Sequence, residues 1–171
     1  MSYQQKKAVV STATGLLLLA AYILTVVSRL RAGLAAPDDL KFWAGTMLIF
    51  IGVGIVATIV IQIVFHILFS VSVAVKVKIE QGDCENPKID RLIAREMVED
   101  EMDKLIELKS SRVGYGIGGA GFLAGLICLV CGLPAAVMIN ILYGAFSLGT
   151  ATEGIAQLYY YKRGLRNGQK N

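Results

Sequence analysis

The feature that most constrains this chain is an uncharged run of 40 residues, Val113 to Thr152. A bilayer's hydrocarbon core of about 30 Å is crossed by about 20 apolar residues in a helix. The run is twice that length, and Gly132-Leu133-Pro134 lies near its middle. Proline lacks an amide donor and disfavours helix at the residue before it. The run therefore divides into two spans, about 113–132 and 134–158, joined by a very tight turn.

Two more apolar stretches precede it. Ala8 to Ser28 is one; Phe42 to Val75 is the other, interrupted by Gln62 and His66. The first looks superficially like a signal peptide, with Lys6 and Lys7 ahead of it. Its apolar length and the following Arg29 and Arg31 mark a retained helix instead. Of the chain's residues 55% are hydrophobic and only 18% charged, which excludes a disordered chain and argues against an ordinary soluble enzyme. The fold class that follows is all-α: a polytopic membrane protein with one membrane domain over residues 1–171. Its four transmembrane helices, about 8–28, 44–70, 113–132 and 134–158, form two hairpins with a helical cytoplasmic linker, 80–111, between them. The second stretch is too long for one span, since 34 residues of helix run about 51 Å. Either the helix projects to about residue 79, or the chain becomes extended after Ser70, where Val71, Val73, Val75, Val77 and Ile79 alternate. A lone strand would have no partner, so the projecting helix is expected.

Orientation follows from Lys and Arg. Fourteen of the 17 basic residues flank three segments that must share one side: the N-terminus, the linker and the C-terminal tail. Only Arg29, Arg31 and Lys41 lie opposite. Both termini are therefore expected in the cytoplasm. Basic residues beside spans also account for the net charge of +4 without any nucleic acid.

The linker is built to pack. Asn86-Pro87 has the form of an N-cap with proline at the first helical position. Ile89, Leu92, Ile93 and Met97 fall on one face, and Val98, Met102, Leu105 and Ile106 on nearly the opposite one. That pattern gives two short helices, or one helix meeting two surfaces. Glu96, Glu99, Asp100, Glu101, Asp103 and Glu107 crowd together, with like charges at i,i+4 that disfavour helix. They read mainly as a solvated acidic face, with docking of a basic partner as the alternative; no spacing here forms a known cation loop.

Within the linker, the string VEDEMDKLIELKSSRVGY, residues 98–115, resembles a family of small predicted bacterial membrane proteins. That resemblance implies four helices, no assigned activity, a bacterial cytoplasmic membrane and genes that often neighbour helix-turn-helix regulators. The residues that carry it are Glu99, Glu101, Asp103, Lys104, Ile106, Lys109, Arg112 and Tyr115. The family usually places a second basic residue where this chain has Met102.

Polar groups inside spans are functional candidates by default. Glu153, with Gln157 one turn on, lies near the cytoplasmic end of the fourth span, where Arg112 and Tyr115 are expected as neighbours. His66 and Gln62 share a face of the second span, and Asn140 is a candidate for bonding between helices. Each has a plain reading as a helix-packing hydrogen bond. Cys128 and Cys131 form a CxxC, as membrane thiol oxidoreductases have, but the outer loop 29–41 lacks the relay pair and Cys84 is on the other side. Their expected role is packing.

Gly114, Gly118, Gly121 and Gly125 form small-xxx-small pairs that let backbones approach. At 100° per residue they do not fall on one line, which suggests more close-packing surface than one neighbour consumes. Self-association as a two-fold dimer, or a membrane protein partner, is expected from this, with lipid as the surrounding solvent. Tyr159 to Tyr161, Phe42 and Trp43 are expected as interface anchors. With no nucleophile–base or metal-ligand set, no enzyme activity, cofactor or metal is expected. The chain reads as a regulatory, accessory or scaffold subunit; a small transporter, channel or immunity component using Glu153 and His66 is the alternative, and a thiol oxidoreductase a distant third.

The topology is directly testable. Single cysteines placed within 80–110 should label only from the cytoplasmic face; labelling from outside intact cells would invert the orientation.

Overall fold

The computed structural model describes residues 3–34, 36, 38–81, 98 and 100–163. Four helices account for nearly all of them: α1, Tyr3–Arg31; α2, Leu40–Gln81; α3, Glu101–Val130; and α4, Ala135–Arg163. All four are long and apolar enough to cross a membrane. Asn86-Pro87, Cys84, Glu99 and the first apolar face of the linker lie outside the described residues.

The helix ends are set by local chemistry. α1 stops where Gly33 takes a positive φ of 65°. Leu34 N–H then donates to the Arg29 carbonyl at 3.1 Å and Gly33 N–H to the Leu30 carbonyl at 3.2 Å, the paired bonds of a Schellman cap. α3 ends the same way. Gly132 has φ 84°, Leu133 N–H bonds the Cys128 carbonyl at 3.1 Å and Gly132 N–H the Leu129 carbonyl at 3.1 Å. Pro134 follows and bars any continuation. At the start of α2, the Asp39 carboxylate accepts from Phe42 N–H at 2.9 Å.

α2 is helical without a break through residues 71–79, so the extended alternative there is overturned. At 42 residues it would measure about 63 Å. β-Branched alternation gives way because a helix satisfies its own backbone, whereas a lone strand would leave every amide unpaired. α3 also starts earlier than its apolar run. Residues 101–112 belong to one helix that continues to Val130, so this half of the linker is an extension of a span and not a separate element.

α4 is the hub. It packs against α3 along most of its length, against α1, and more lightly against α2, while α1 also meets α2. α1 runs antiparallel to α2, with Tyr3 against Phe69 and Tyr22 against Phe50, and to α4, with Thr12 on Gly154 and Tyr22 on Tyr143. α3 runs antiparallel to α4, with Gly114 at Gly149 and Gly125 at Met138. This gathers the N-terminus of α1, the C-terminus of α2, the N-terminus of α3 and the C-terminus of α4 at one end. Lys6, Lys7, Lys76, Lys104, Lys109, Lys162 and Arg163 lie there, and it is called the basic end below; Gly33 and Gly132 mark the turn end.

The α3–α4 contact depends on glycine. A Cβ added at Gly149 would stand 2.7 Å from the Gly114 carbonyl oxygen. One at Gly114 would stand 3.1 Å from the Gly149 carbonyl, one at Gly118 3.0 Å from the Phe146 ring, and one at Gly125 3.2 Å from Met138. At Gly121 it would collide with the Ala145 methyl. All four glycines therefore face α4, which corrects the expectation that they serve two surfaces. Their spacing alternates between three and four residues. At 100° per residue the four positions span an arc of only about 60°, so one face of a straight helix carries them all.

At the turn end, Trp43 is 2% exposed beside Ala136, with Val26, Phe42 and Ile139 around it. Its indole N–H donates to the Ala36 carbonyl at 3.0 Å. Trp43 is thus a buried clasp between the α1–α2 loop and α4, not the membrane-interface anchor that its position in the sequence suggested.

Gly149→Ala and Gly121→Ala should each destabilise the protein by about 1–3 kcal/mol, the usual cost of overpacking. Gly116 and Gly119 have nothing within 4 Å of an added Cβ, so alanine there should be near neutral. Unfolding midpoints in mild detergent compare the two pairs; equal effects would remove the seam from the account.

Candidate functional site

Glu153 stands where α4 meets α3 near the basic end. Ser111 Oγ donates to its Oε1 at 2.6 Å. Its Oε2 and Cβ lie over Gly114, 3.0 and 3.2 Å from where a Cβ would be, so glycine makes the space the carboxylate occupies. Arg112 and Tyr115, expected beside Glu153, are not there. Arg112 is exposed and Tyr115 is 77% exposed. Ser111 lies three residues before Gly114 and extends the glycine seam, whereas residues 112 and 115 turn off it.

A polar cleft of about 250 Å³ opens beside Glu153. α1 lines it with Gln4, Lys7, Ala8 and Ser11, α2 with Gln62, α3 with Glu107, and α4 with Glu153 and Gln157. The α1 set recurs every three to four residues, so one helical face supplies it. A smaller recess of about 130 Å³ continues between α1 and α4, past Thr12, Gly15, Thr150 and Gly154. Thr12 rests directly on Gly154, where no Cβ could be added.

Nearer the turn end, aromatic rings fill the same junction. Tyr22 packs on Tyr143 with centroids 4.1 Å apart and edge-on to Phe50 at 5.2 Å. Tyr22 O–H donates to Asn140 Oδ1 at 2.7 Å, and Asn140 Nδ2 donates to the Ala136 carbonyl at 2.8 Å. Asn140 therefore ties α1 to α4. Among the described residues, no buried side-chain nitrogen or oxygen lacks a hydrogen-bond partner.

His66 does not join Glu153. It is exposed and lines a separate cleft of about 370 Å³ with Tyr3, Gln62, Phe65 and others. Lys7 and Gln62 line both clefts. A single polar path holding both residues is thus corrected to two neighbouring clefts that share a wall.

The linker motif divides in two. Asp103 Oδ1 accepts from Tyr161 O–H at 2.8 Å, joining α3 to the last turn of α4. Asp103 also completes a capping box: Asp100 Oδ1 accepts from Asp103 N–H at 2.6 Å, and Asp103 Oδ2 from Asp100 N–H at 3.2 Å. Two of the carboxylates expected in like-charge i,i+4 pairs thus stabilise the helix start together, where negative charge is favoured. Glu101, Lys104, Lys109 and Arg112 are exposed. Cys128 and Cys131 are free thiols at the end of α3. Among the described residues, no group of three His, Cys, Asp or Glu side chains converges as a metal site would need.

Sequence reasoning missed Ser111, Lys7, Gln4, Ser11 and Glu107 as cleft residues. The recoverable signal was the three-to-four spacing of Gln4, Lys7 and Ser11, continuous with the buried face of α1 at Ala8, Thr12 and Leu19.

Ser111→Ala should cost about 1 kcal/mol, the scale of one hydrogen bond between membrane helices. Glu153→Gln keeps an acceptor for Ser111 and should cost less than Glu153→Leu. Thermal unfolding of the three variants orders them; a Gln variant as damaged as the Leu variant would mean the charge itself is required.

In comparisons with protein-family models, curated proteins and solved structures, the chain matches none.

Proposed function

We propose that this chain is a non-enzymatic membrane subunit of regulatory, accessory or scaffold type, with its basic end in the cytoplasm. On this reading its helices form two hairpins in a bacterial cytoplasmic membrane, and it acts through helix–helix contacts and the cytoplasmic extensions of α2 and α3. The observation that carries it is the outward face of α3. Met102 and Leu105, 43% and 49% exposed, lie on the side away from the glycine seam that meets α4. The same face continues through Gly116, Gly119 and Ala120 to Leu123 and Ile127, all exposed. On this face exposed Lys109 and Arg112 stand between Leu105 and the apolar part that begins at Gly116. It is therefore charged beyond the uncharged run and apolar along it, which suits a partner that is itself part membrane and part soluble. A second copy of this chain is one such partner, supported now by Gly116 and Gly119 and no longer by the four seam glycines.

The transport alternative draws on the polar cleft at Glu153. It is weakened by the Tyr22–Tyr143 pair that fills the same junction towards the turn end, and by the separation of His66 from Glu153.

A photo-crosslinking residue at Met102 or Leu105 should give a discrete protein adduct in cells, while the same probe at Leu17, 71% exposed on α1, should give only lipid background. Equal, featureless labelling at all three positions would defeat the subunit reading. Proton or ion flux through reconstituted wild type, lost in Glu153→Gln, would put transport in its place.

A further inference from the structure

The cleft beside Glu153 has a composition that helix packing does not require. Seven of its eight lining residues are polar, and they come from all four helices. They sit where the uncharged part of α1 begins, since Lys7 is followed directly by Ala8. In a bilayer that level belongs to lipid headgroups. A concave site with a few convergent polar groups is the usual form of a small-ligand site.

The chemistry of the lining selects among ligands. Glu107 and Glu153, when ionised, only accept hydrogen bonds; Lys7 only donates; Gln4, Gln62, Gln157 and Ser11 can do either. Glu153 already accepts from Ser111 through Oε1, so it is held in place by a neighbour before any ligand arrives. An ammonium group brings three donors and a charge that two carboxylates would hold through charge-assisted bonds. A metal ion would need a closer set of ligands than the described residues provide. Lys7, with three donors of its own, can keep its present contacts and still meet an anion.

We propose that this cleft binds an aminoethyl phosphate group, with the ammonium between Glu107 and Glu153 and the phosphate at Lys7. That group has two sources: the headgroup of phosphatidylethanolamine, entering from the bilayer, or a water-soluble phosphoethanolamine, entering from the basic end. The inference is independent of the subunit role, because it concerns the α1–α4 side of the molecule and not the outward face of α3.

Purified full-length protein in a neutral maltoside detergent provides the test. Its unfolding midpoint is followed while short-chain phosphatidylethanolamine, phosphatidylglycerol of the same chain length, or soluble phosphoethanolamine is added. A ligand that binds only the folded state raises the midpoint saturably. Phosphatidylethanolamine should do so, and phosphatidylglycerol, which has the phosphate but no ammonium, should not. A matching response to soluble phosphoethanolamine identifies the free group as sufficient; a response to the lipid alone identifies the headgroup in its membrane setting. Glu107 is exposed, so Glu107→Gln should fold normally and weaken half-saturation about tenfold, as should Lys7→Gln, each losing one charged contact. Equal responses to the two lipids, no response to any of the three additives, or a wild-type response from either variant would overturn the proposal.

Discussion

The close approach of α3 and α4 is the contact on which the remaining geometry depends. Between two helices in lipid there is no hydrophobic drive, because lipid tails are as apolar as leucine. What holds the pair is dispersion at short range and bonds between helices, and both require the backbones to come near. Gly114 and Gly149 permit this near the basic end, and Gly125 permits it near the turn end. Once the seam is closed, Glu153 has a fixed place over Gly114, Ser111 falls within reach of it, and Asp103 meets Tyr161 two turns further out. α4 then presents its other faces to α1 and α2, and the polar cleft is what remains between α1, α3 and the floor that α4 supplies.

Much of this was legible in the chain and some was not. Charge segregation was enough to find four membrane-length helices, because transfer of a charged side chain into hydrocarbon is so costly that its absence over about 20 residues is informative. The face that α3 turns inward was legible but misjudged: 100° steps keep Gly114, Gly118, Gly121 and Gly125 within an arc of about 60°, which is one surface and not two. Glu153's partner was missed because Ser111 is a small polar residue among charged ones, although it lies beside the glycine seam and Arg112 does not. Asp100 and Asp103 were read only as members of like-charge i,i+4 pairs inside a helix, whereas at a helix's first turn the two cap each other. The sequence alone does not say where that turn begins.

The buried set is small for a chain of this length. It includes Ala8, Leu19, Tyr22, Trp43, Met47, Phe69, Ile106, Ala136 and Ala151, while α2 buries none of its most apolar window. In water such a molecule would expose far more apolar surface than a monomer sustains. In a bilayer the same surface is solvated, and the polar groups become the exceptions that need partners. Tyr22 with Asn140, Ser111 with Glu153 and Trp43 with the Ala36 carbonyl each meet that need, and each does so between elements distant in sequence. The polar side chains within the spans therefore define the tertiary arrangement more sharply than the apolar ones do.

The turn at Gly132-Leu133-Pro134 bears on how the protein enters a membrane. It carries no charge, and the Schellman bonds already satisfy the carbonyls that α3 would otherwise leave open. With the basic end held on the side of synthesis, α3 and α4 could partition together, drawing only a few neutral residues across the hydrocarbon. In the proposed orientation, the loop between α1 and α2 would instead have to bring Arg29, Arg31, Asp38, Asp39 and Lys41 to the far side. In that orientation the barrier to biogenesis falls early, on the first two helices, and α4 arrives last to join elements already in place.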